Sequence, residues 1–337
     1  MSCMNLSFRP GGLFLAALLT LVPLAGSAAA PSAVETEVAR LATLVDGTVG
    51  VSAWRLDGRG PQVHLNPDDA FPMASTFKVA VAAAVLAKID AGELQLSTMV
   101  PVPLAMQVDS EVIADRFIHE GLSLSVHNLL EVMLTQSDNT ATDVLVAQAG
   151  GPAAVTAWLR AQGIEGQRLD RNTRDLLLEF YGVTDAGPLT KARSAELSRD
   201  PAFVARRGTP NTAFDTDPRD TSTPRAMSML LTRLFKGDAL SADSTQTLIQ
   251  IMERCRTCSD RLRGRMPPGT VVADKSGTLG GSVNDVGVVT LPDGSRFAIS
   301  VFVKASSAPR SERERVIAEI ARTVRDLYLL EPPAAQP

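Results

Sequence analysis

Apolar and polar residues alternate near both ends of the chain in the way that predicts β-strands. From Thr48 to Arg55 the period is two, and Gln62 to Leu65 returns after a Gly-rich turn, which predicts an N-terminal hairpin. Three more strands are predicted near the C-terminus, with Pro-Asp-Gly at 292–294 as the turn between the last two. These three strands are Thr270 to Thr278, Val283 to Leu291 and Arg296 to Lys304. We therefore expect one five-stranded antiparallel sheet.

Between these strands the hydrophobic period changes to that of α-helices. The run from Phe77 to Ile89 is rich in Ala, Val and Leu and predicts a buried helix. Further helices are predicted to start at Ser123, at Gly151-Pro152 and at Ser241, and a last helix, from about Ser311 to Leu329, is expected to cover the sheet. The predicted fold class is α/β, of the two-lobed α+β kind, in which terminal helices flank the sheet and a central lobe is all-helical.

The same pattern predicts how the chain divides into lobes. With 337 residues, of which 45% are hydrophobic, the chain is able to bury a large core. We assign residues 34–74 and 265–332 to an α/β lobe, and residues 75–264 to a helical lobe that contains an extended loop over residues 171–220. A cleft is expected at the seam between the two lobes.

Residues 1–30 have the composition of a secretory signal peptide. Arg9 precedes an apolar stretch from Leu13 to Leu24, and small residues at 26–30 suit cleavage by signal peptidase. The apolar stretch is shorter than the roughly 20 residues that a bilayer crossing needs. We expect a cleaved leader, a periplasmic or secreted protein and no membrane anchor.

Charge and cysteine content narrow the choice of partners. The formal net charge is −4, and the sequence has no basic patch of the kind that binds nucleic acid. Cys255 and Cys258 form a Cys-x-x-Cys motif, but the neighbourhood offers neither a thioredoxin-like context nor further zinc ligands. We expect a local disulfide or two packed thiols on a helix, and we assign no metal, no cofactor and no nucleic-acid partner.

Three short motifs, in a fixed order and widely spaced, carry the chemistry. A serine hydroxyl needs a nearby base to act as a nucleophile, and a helical turn places position i+3 beside position i. The first motif has this spacing from Ser75 to Lys78, and a second lysine, Lys275, is expected to converge on the same site and depress its proton affinity. Each motif alone is common, whereas their ordered combination is specific. The motifs are Ser75-Thr76-Phe77-Lys78, Ser137-Asp138-Asn139 and Lys275-Ser276-Gly277-Thr278.

With these motifs the sequence resembles the class A serine β-lactamases, within the penicillin-recognising serine acyltransferases. The resemblance runs from about Val34 to Leu330. It implies that Ser75 is the acylated nucleophile, that Lys78 is its base, and that Ser137 relays a proton to the lactam nitrogen, with Lys275 as the other catalytic residue.

The resemblance also implies a substrate-binding set. Asn139 would bind the substrate side chain, and Lys275, Ser276, Gly277 and Thr278 would lie along the strand that binds the substrate carboxylate. The backbone N–H groups of Ser75 and Thr278 would form the oxyanion hole. Residues 171–220 and the segment after Thr278 are expected to determine the substrate range.

The activity that the resemblance implies is hydrolysis of the β-lactam amide through an acyl-enzyme on Ser75, which gives resistance to β-lactam antibiotics. The expected partner is a small-molecule β-lactam, and the protein is expected to be a monomer. The alternative is a penicillin-binding sensor, or a serine hydrolase similar to a DD-peptidase or esterase, in which deacylation is slow or absent.

One loop departs from the family pattern Asp-Arg-x-Glu-x-x-Leu-Asn. Here Thr173 occupies the position of the glutamate, which activates the deacylating water in class A enzymes, and Leu177 occupies that of the asparagine. Arg171 and Asp220 are still able to pair across the neck of the loop, although 48 residues lie between them.

Three explanations stay open for the missing glutamate. Glu179, with Asp175 behind it, supplies another acid; or Lys78 serves as the base in both steps; or deacylation is lost. The sequence does not distinguish among them.

Overall fold

Five antiparallel strands from the two ends of the chain form the main sheet, and this confirms the predicted fold class. The computed structural model describes residues 1–4, 32–185 and 187–330, so most of the predicted leader, residues 5–30, lies outside the described residues. The described strands are β1 (Thr48–Arg55), β2 (Val63–Leu65), β3 (Phe71–Pro72), β4 (Met99–Pro101), β5 (Ser123–Ser125), β6 (Thr221–Ser222), β7 (Val272–Leu279), β8 (Ser282–Thr290) and β9 (Arg296–Lys304).

Thirteen α-helices occupy much of the rest of the described chain. In that part, none is both long and apolar enough to cross a membrane. The helices are α1 (Ala33–Ala42), α2 (Lys78–Asp90), α3 (Ile113–Arg116), α4 (Val126–Thr135), α5 (Asn139–Ala149), α6 (Pro152–Ala161), α7 (Thr173–Tyr181), α8 (Lys191–Leu197), α9 (Pro201–Arg206), α10 (Thr212–Asp215), α11 (Pro224–Lys236), α12 (Ala242–Glu253) and α13 (Arg310–Leu330).

The sheet has the order β2-β1-β9-β8-β7, and both of its faces are covered. Because side chains alternate along a strand, neighbouring apolar residues enter different cores. Val301 and Val303 pack with α1 and α13, whereas Phe302 between them packs with α2 and α11 on the other face. Strand β7, which carries the Lys-Ser-Gly-Thr motif, lies at one edge of the sheet and leaves one side of its backbone without a strand partner in the sheet.

The central part of the chain is mainly helical, but it is not all-helical as the sequence predicts. The structure contains two short antiparallel pairs, β3 with β6 and β4 with β5. The helix predicted to start at Ser123 starts instead at Val126, because residues 123–125 pair with β4 and Ser125 caps the helix through its hydroxyl. The helix starts predicted at Gly151-Pro152 and Ser241 are confirmed by α6 and α12.

Helix α2 is the core of the helical part. A 3₁₀ helix, Ala74–Phe77, leads directly into it, and every residue from Lys78 to Leu86 is buried. A helix that is apolar on all sides is stable only when other elements surround it. Its first turn therefore lies deep in the protein, and the adjacent Ser75 is placed at the boundary of the core.

The segment predicted as an extended loop, residues 171–220, is a helical insertion. It contains the four helices α7 to α10, so the interpretation as a loop is wrong. Each helix begins with a side chain that accepts a hydrogen bond from the backbone of its first turn, which stabilises even a short helix by satisfying free N–H groups. These capping residues are Asn172, Thr190, Asp200 and Asn211.

The insertion is fixed at its neck by charge. Arg171 Nε donates to Asp220 Oδ2 at 2.6 Å, which confirms the predicted pairing across the neck. Asp220 also accepts from the backbone N–H groups of Asp170 and Arg171 at 2.7 and 3.0 Å. Since Asp220 is only 2% exposed, the two ends of the insertion are joined by a buried ion pair.

An apolar cluster ties the insertion to the rest of the protein. Phe180 and Phe214 of the insertion pack edge to face at 5.0 Å, and the same cluster includes Ala74 and Leu279. Ala74 directly precedes Ser75, and Leu279 directly follows Thr278. The insertion is therefore packed against two of the three predicted motifs.

Candidate active site

The three predicted motifs meet at one cleft of about 350 Å³. Ser75, Ser137, Asn139, Ser276 and Thr278 line it, while Lys78 and Lys275 lie buried beneath. The structure thus brings together the residues that the sequence predicts, although their roles stay predictions. The other residues that line the cleft are Asp109, Ser110, Glu111, Gln136, Lys191, Arg207, Thr257, Arg261 and Arg310.

Ser75 is a partly exposed residue between buried neighbours in the 3₁₀ helix that starts α2. The residue before it, Ala74, has a φ of +45°, a left-handed conformation that costs a non-glycine residue about 1 to 3 kcal/mol. The start of a helix presents backbone N–H groups and a positive dipole end, which favour negative charge nearby. This position suits a hydroxyl that develops into an alkoxide.

Lys78 is fully buried and is held by the second motif. Its Nζ donates to the Ser137 carbonyl oxygen at 2.7 Å, to Ser137 Oγ at 3.2 Å and to Asn139 Oδ1 at 2.8 Å. Burial lowers the pKa of Lys78 to about 7, and the nearby charges of Asp138 and Asp143 only partly offset this effect. A substantial fraction of Lys78 is therefore neutral near pH 7, as a general base requires.

The hydroxyl of Ser137 joins the two lysines. Lys275 Nζ lies 3.1 Å from Ser137 Oγ, on which Lys78 also converges, and donates to the Ser276 carbonyl oxygen at 2.7 Å. The pKa of Lys275 is lowered well below its usual range, first by burial and then by the charge of Lys78. The predicted effect of one lysine on the other is seen at Lys275, whereas at Lys78 the lowering comes from burial, which is the largest cause for both.

Asp138, the middle residue of the second motif, has a structural role. It is fully buried, and its Oδ1 caps α5 by accepting from Ala141 N at 2.8 Å. Its Oδ2 accepts from Ser110 Oγ and Ile113 N, both at 2.8 Å. These bonds fix the backbone at Ser137, whose φ is +59°, and so aim its hydroxyl at the lysines.

Both the oxygen and the nitrogen of the Asn139 amide form hydrogen bonds within the protein. Its Oδ1 accepts from Lys78, and its Nδ2 donates to the Asp109 carbonyl oxygen at 2.9 Å. An amide nitrogen has two donors, so one remains for a ligand in the cleft. This is compatible with the predicted role of Asn139 toward the substrate side chain.

The glycine of the third motif is required by a close approach. A Cβ at Gly277 would lie 2.7 Å from the Met73 carbonyl oxygen and 3.0 Å from Ser75 N. Strand β7 therefore passes directly beside the backbone N–H of Ser75. The predicted oxyanion hole, from the N–H groups of Ser75 and Thr278, needs this proximity of the two segments.

Two cleft residues that the sequence analysis missed support the third motif. Thr257 Oγ1 lies 2.6 Å from Ser276 Oγ, and Arg261 Nη2 donates to Thr278 Oγ1 at 2.5 Å. Arg261 is 1% exposed and also donates to the Gly277 carbonyl oxygen at 2.9 Å. Both residues lie in an irregular segment between α12 and β7. Thr257 stands inside the Cys-x-x-Cys motif, which predicts a local disulfide but no cleft residue, and Arg261 stands in no motif.

Cys255 and Cys258 form a disulfide on either side of Thr257. This confirms the expected local disulfide, but it lies in the segment after α12 and not on a helix. Thr257 Oγ1 lies 3.6 and 3.9 Å from the two sulfur atoms. The bridge therefore shapes the turn that presents Thr257 to Ser276.

Glu179 is not among the described residues that line the Ser75 cleft. Its carboxylate is exposed, accepts from Arg171 Nη1 at 2.8 Å and also pairs with Arg219, and the two arginines lower its pKa. Glu179 lines another cavity, of about 480 Å³, together with Phe180 and Tyr181. A carboxylate in two ion pairs is a weak base, so this geometry does not favour Glu179 as the activator of water.

Thr173, at the position of the family glutamate, is buried at the start of α7. Its backbone N–H donates to Asp143 Oδ1 at 2.6 Å, and Arg174 N donates to Asp143 Oδ2 at 3.0 Å. Burial raises the pKa of Asp143 although these bonds oppose the shift. Asp143 thus anchors the start of the insertion to α5, a contact that no sequence motif predicts.

A cleft lined by Ser75 and Ser137, with two buried lysines beneath it, has the residue types that a serine hydrolase needs. The model of the β-lactamase enzyme family matches residues 33–328, and the chain therefore belongs to this family. Among curated relatives, the extended-spectrum β-lactamase PER-1 from Pseudomonas aeruginosa is 29% identical over 298 residues, which cover 86% of this chain and 85% of that protein.

Solved structures agree with this assignment. A β-lactamase from Chitinophaga pinensis DSM 2588 has a TM-score of 0.72 and 31% identity, and the match covers 88% of this chain and 99% of that chain. An ancestral class A β-lactamase has a TM-score of 0.72 and 32% identity, with 87% and 99% covered. The resemblance to class A serine β-lactamases is confirmed.

Proposed function

We propose that this protein is a β-lactamase that hydrolyses the cyclic amide of β-lactam antibiotics through an acyl-enzyme on Ser75. The observation that carries the proposal is the Ser137 hydroxyl, which lies within hydrogen-bond distance of both Lys78 and Lys275. Both lysines are fully buried and have lowered pKa values. This arrangement supports proton transfer among Lys78, Ser137 and Lys275 without passage through solvent.

In the proposed acylation step, the neutral amine of Lys78 takes the Ser75 hydroxyl proton while Oγ attacks the lactam carbonyl carbon. The backbone N–H groups of Ser75 and Thr278 stabilise the oxyanion. The C–N bond then breaks, the lactam nitrogen takes the hydroxyl proton of Ser137, and protonated Lys78 returns a proton to Ser137. Lys78 is neutral again when the acyl-enzyme has formed.

We assign the ring carboxylate of the substrate to the end of the cleft formed by Lys275, Ser276, Gly277 and Thr278. The carboxylate would favour the protonated form of Lys275 and so oppose the effect of burial. Arg261 supports this end because it donates to Thr278 Oγ1 and the Gly277 carbonyl oxygen. Thr257 supports it through Ser276.

For deacylation we propose that Lys78 again acts as the base and takes a proton from the attacking water. The pKa of Lys78, about 7, supports this role. The position of Glu179 in ion pairs with Arg171 and Arg219 argues against that residue. Deacylation without the family glutamate is expected to be the slower step.

We further propose that the protein is a monomer, that residues 1–30 are removed on export, and that the mature enzyme confers β-lactam resistance outside the cytoplasm. The helical residues and the sheet with its covering helices are proposed as two lobes on either side of the cleft. Size-exclusion chromatography and the N-terminal sequence of the exported protein test the first two statements.

The decisive experiment follows a chromogenic cephalosporin in substrate excess by stopped flow, with intact-mass samples from the same mixture. We expect continued turnover with an adduct that disappears as substrate is used. Ser75→Ala should lose both turnover and adduct. A single-turnover burst that leaves a lasting adduct would identify a penicillin-binding sensor, and the absence of both adduct and turnover would contradict the proposal.

A further inference from the structure

Arg207 is an exposed arginine of the insertion that lines the Ser75 cleft. The other cations along the cleft are paired: Lys191 Nζ lies 3.4 Å from Asp115, and both Arg261 and Arg310 contact Glu314. Within residues 32–185 and 187–330, no carboxylate is paired with Arg207. Its guanidinium lies near the hydroxyl of Tyr181 and lowers the pKa of that group, against the larger effect of burial. Arg207 is therefore a cation that faces the cleft with its charge available.

Arg207 shares the Ser75 cleft with Asp109, Asn139 and Lys191. The carbonyl oxygen of Asp109 accepts from Asn139 Nδ2 at 2.9 Å, and its N–H donates to the Leu189 carbonyl oxygen at 2.7 Å. Arg207 therefore lines the same cleft as Asn139, the residue predicted to bind the substrate's acyl side chain.

The insertion holds this arginine in a fixed position relative to Ser75. A Cβ at Gly280 would lie 2.7 Å from Phe180 Cζ and 2.8 Å from the Thr209 carbonyl oxygen, and one at Gly281 would lie 2.9 Å from Pro210 Cα. The segment after Arg207 is therefore seated against the turn that follows Thr278. A charge on a packed support loses less freedom on binding than one on a mobile loop.

We propose that Arg207 determines specificity by binding a second carboxylate, carried on the acyl side chain of dianionic β-lactams. The inference rests on the proposed function of the cleft. The ring carboxylate is assigned to Lys275 and its strand, and a planar guanidinium in the cleft that Asn139 also lines is suited to a second carboxylate through two parallel hydrogen bonds. A substrate with a carboxylate on its acyl side chain gains an ion pair with Arg207. A substrate with a neutral acyl side chain does not.

The test compares benzylpenicillin with its α-carboxy derivative, which differ by one carboxylate near the scissile amide. In Arg207→Ala, kcat/KM for the α-carboxy compound should fall by about tenfold or more, the usual effect of losing a hydrogen bond between charged groups. For benzylpenicillin it should stay within about twofold, since a rim charge contributes little to a substrate that does not contact it. Arg207→Lys keeps the positive charge, so kcat/KM for the α-carboxy compound should fall less in this variant than in Arg207→Ala.

The matched control is Arg199→Ala, which removes the same charge from an exposed position of the insertion. It should leave the ratio of the two kcat/KM values unchanged. Equal loss for both penicillins in Arg207→Ala, or no loss for either, would overturn the inference while turnover of benzylpenicillin still upholds the proposed function. A wild-type protein that is acylated by neither compound would overturn the proposed function and this inference with it.

Discussion

The neck of the insertion and the pocket that holds the buried lysines below Ser75 have opposite effects on the charged form of their side chains. At the neck, Arg171 contacts three carboxylates, those of Glu179, Asp217 and Asp220. In the pocket, the acceptors of Lys78 are a carbonyl, a hydroxyl and an amide oxygen, all uncharged. Opposite charges stabilise the charged form of a group, whereas burial among neutral groups destabilises it.

The charged groups at the neck therefore stabilise the structure, whereas those in the pocket are suited to proton transfer. At the neck, hydrogen bonds from Arg219 and Arg171 lower the pKa of Glu179, and those from Arg219 lower the pKa of Asp217 against the effect of burial, so both carboxylates stay charged near neutral pH. The pocket lowers the pKa of Lys78 to about 7, so that the protonated and the neutral lysine coexist near neutral pH. The pocket therefore provides a candidate base, and the neck provides an anchor for the insertion.

Removal of the base from the pocket is expected to have the largest effect. In Lys78→Ala, we expect the acylation rate to fall by about 10² to 10⁴, the usual contribution of a positioned general base. Stopped-flow acylation by a chromogenic cephalosporin measures this rate. The control is Lys88→Ala in the same helix, where the lysine forms a partly exposed ion pair with Glu93. If Lys78→Ala acylates as fast as the Lys88→Ala control, Lys78 is not the activator.

Removing one charge at the neck should affect stability more than chemistry. For Asp220→Asn we expect a loss of about 3 to 5 kcal/mol in the free energy of unfolding, because Arg171 loses a buried partner. Asparagine tolerates the left-handed backbone at this position, where φ is +52°, so strain is not the cause. Urea denaturation measures the change.

The matched control at the surface is Asp68→Asn. Asp68 pairs with Arg225 at 2.7 Å, but the two side chains are 68% and 37% exposed. Exposed pairs contribute at most about 1 kcal/mol. A loss in Asp220→Asn as small as that in Asp68→Asn would mean that the neck pair does not hold the insertion.

The pH dependence of acylation follows from Lys78. Because its folded pKa is about 7, the neutral fraction falls on the acid side of that value and approaches one on the alkaline side. We expect kcat/KM to fall about tenfold per pH unit below 7 and to level off above about pH 8. Enzyme held at pH 5 and assayed at pH 7 controls for unfolding. A flat profile between pH 5 and 8 would contradict a lysine base of this pKa.

The sequence predicted the elements and motifs whose signals are local. Strand alternation gave β1 and β9 to the residue, and motif order identified the residues that meet at the cleft. The helices of the insertion also have local start signals, such as Asp200 before Pro201. These helices span only four to nine residues, which is too short for a hydrophobic period to predict them from the sequence.

The remaining features depend on contacts between distant parts of the chain. Asp143 binds the backbone 30 residues away, and Arg261 reaches the Asn284 carbonyl oxygen 23 residues away. Neither residue stands in a pattern that marks it as buried, because aspartate and arginine are usually exposed. The sequence alone therefore identifies the motifs, but it does not identify the residues that hold them in place.

The smallest effect is expected from the replacement of Glu179. If Glu179 is part of the neck, Glu179→Gln should change deacylation by less than about twofold and stability by less than about 1 kcal/mol, as expected for an exposed ion pair. Intact-mass decay of the acyl-enzyme measures deacylation. The control is Arg219→Gln, which breaks the same ion pair and keeps the carboxylate.

The two variants separate a chemical role from an electrostatic one. A deacylation rate that drops about 10²-fold or more in Glu179→Gln, but not in Arg219→Gln, would make Glu179 the base that activates water. Similar small changes in both variants would assign Glu179 to the neck, together with Arg171 and Asp217. Since Arg171 and Arg219 lower the pKa of Glu179, we expect the second result.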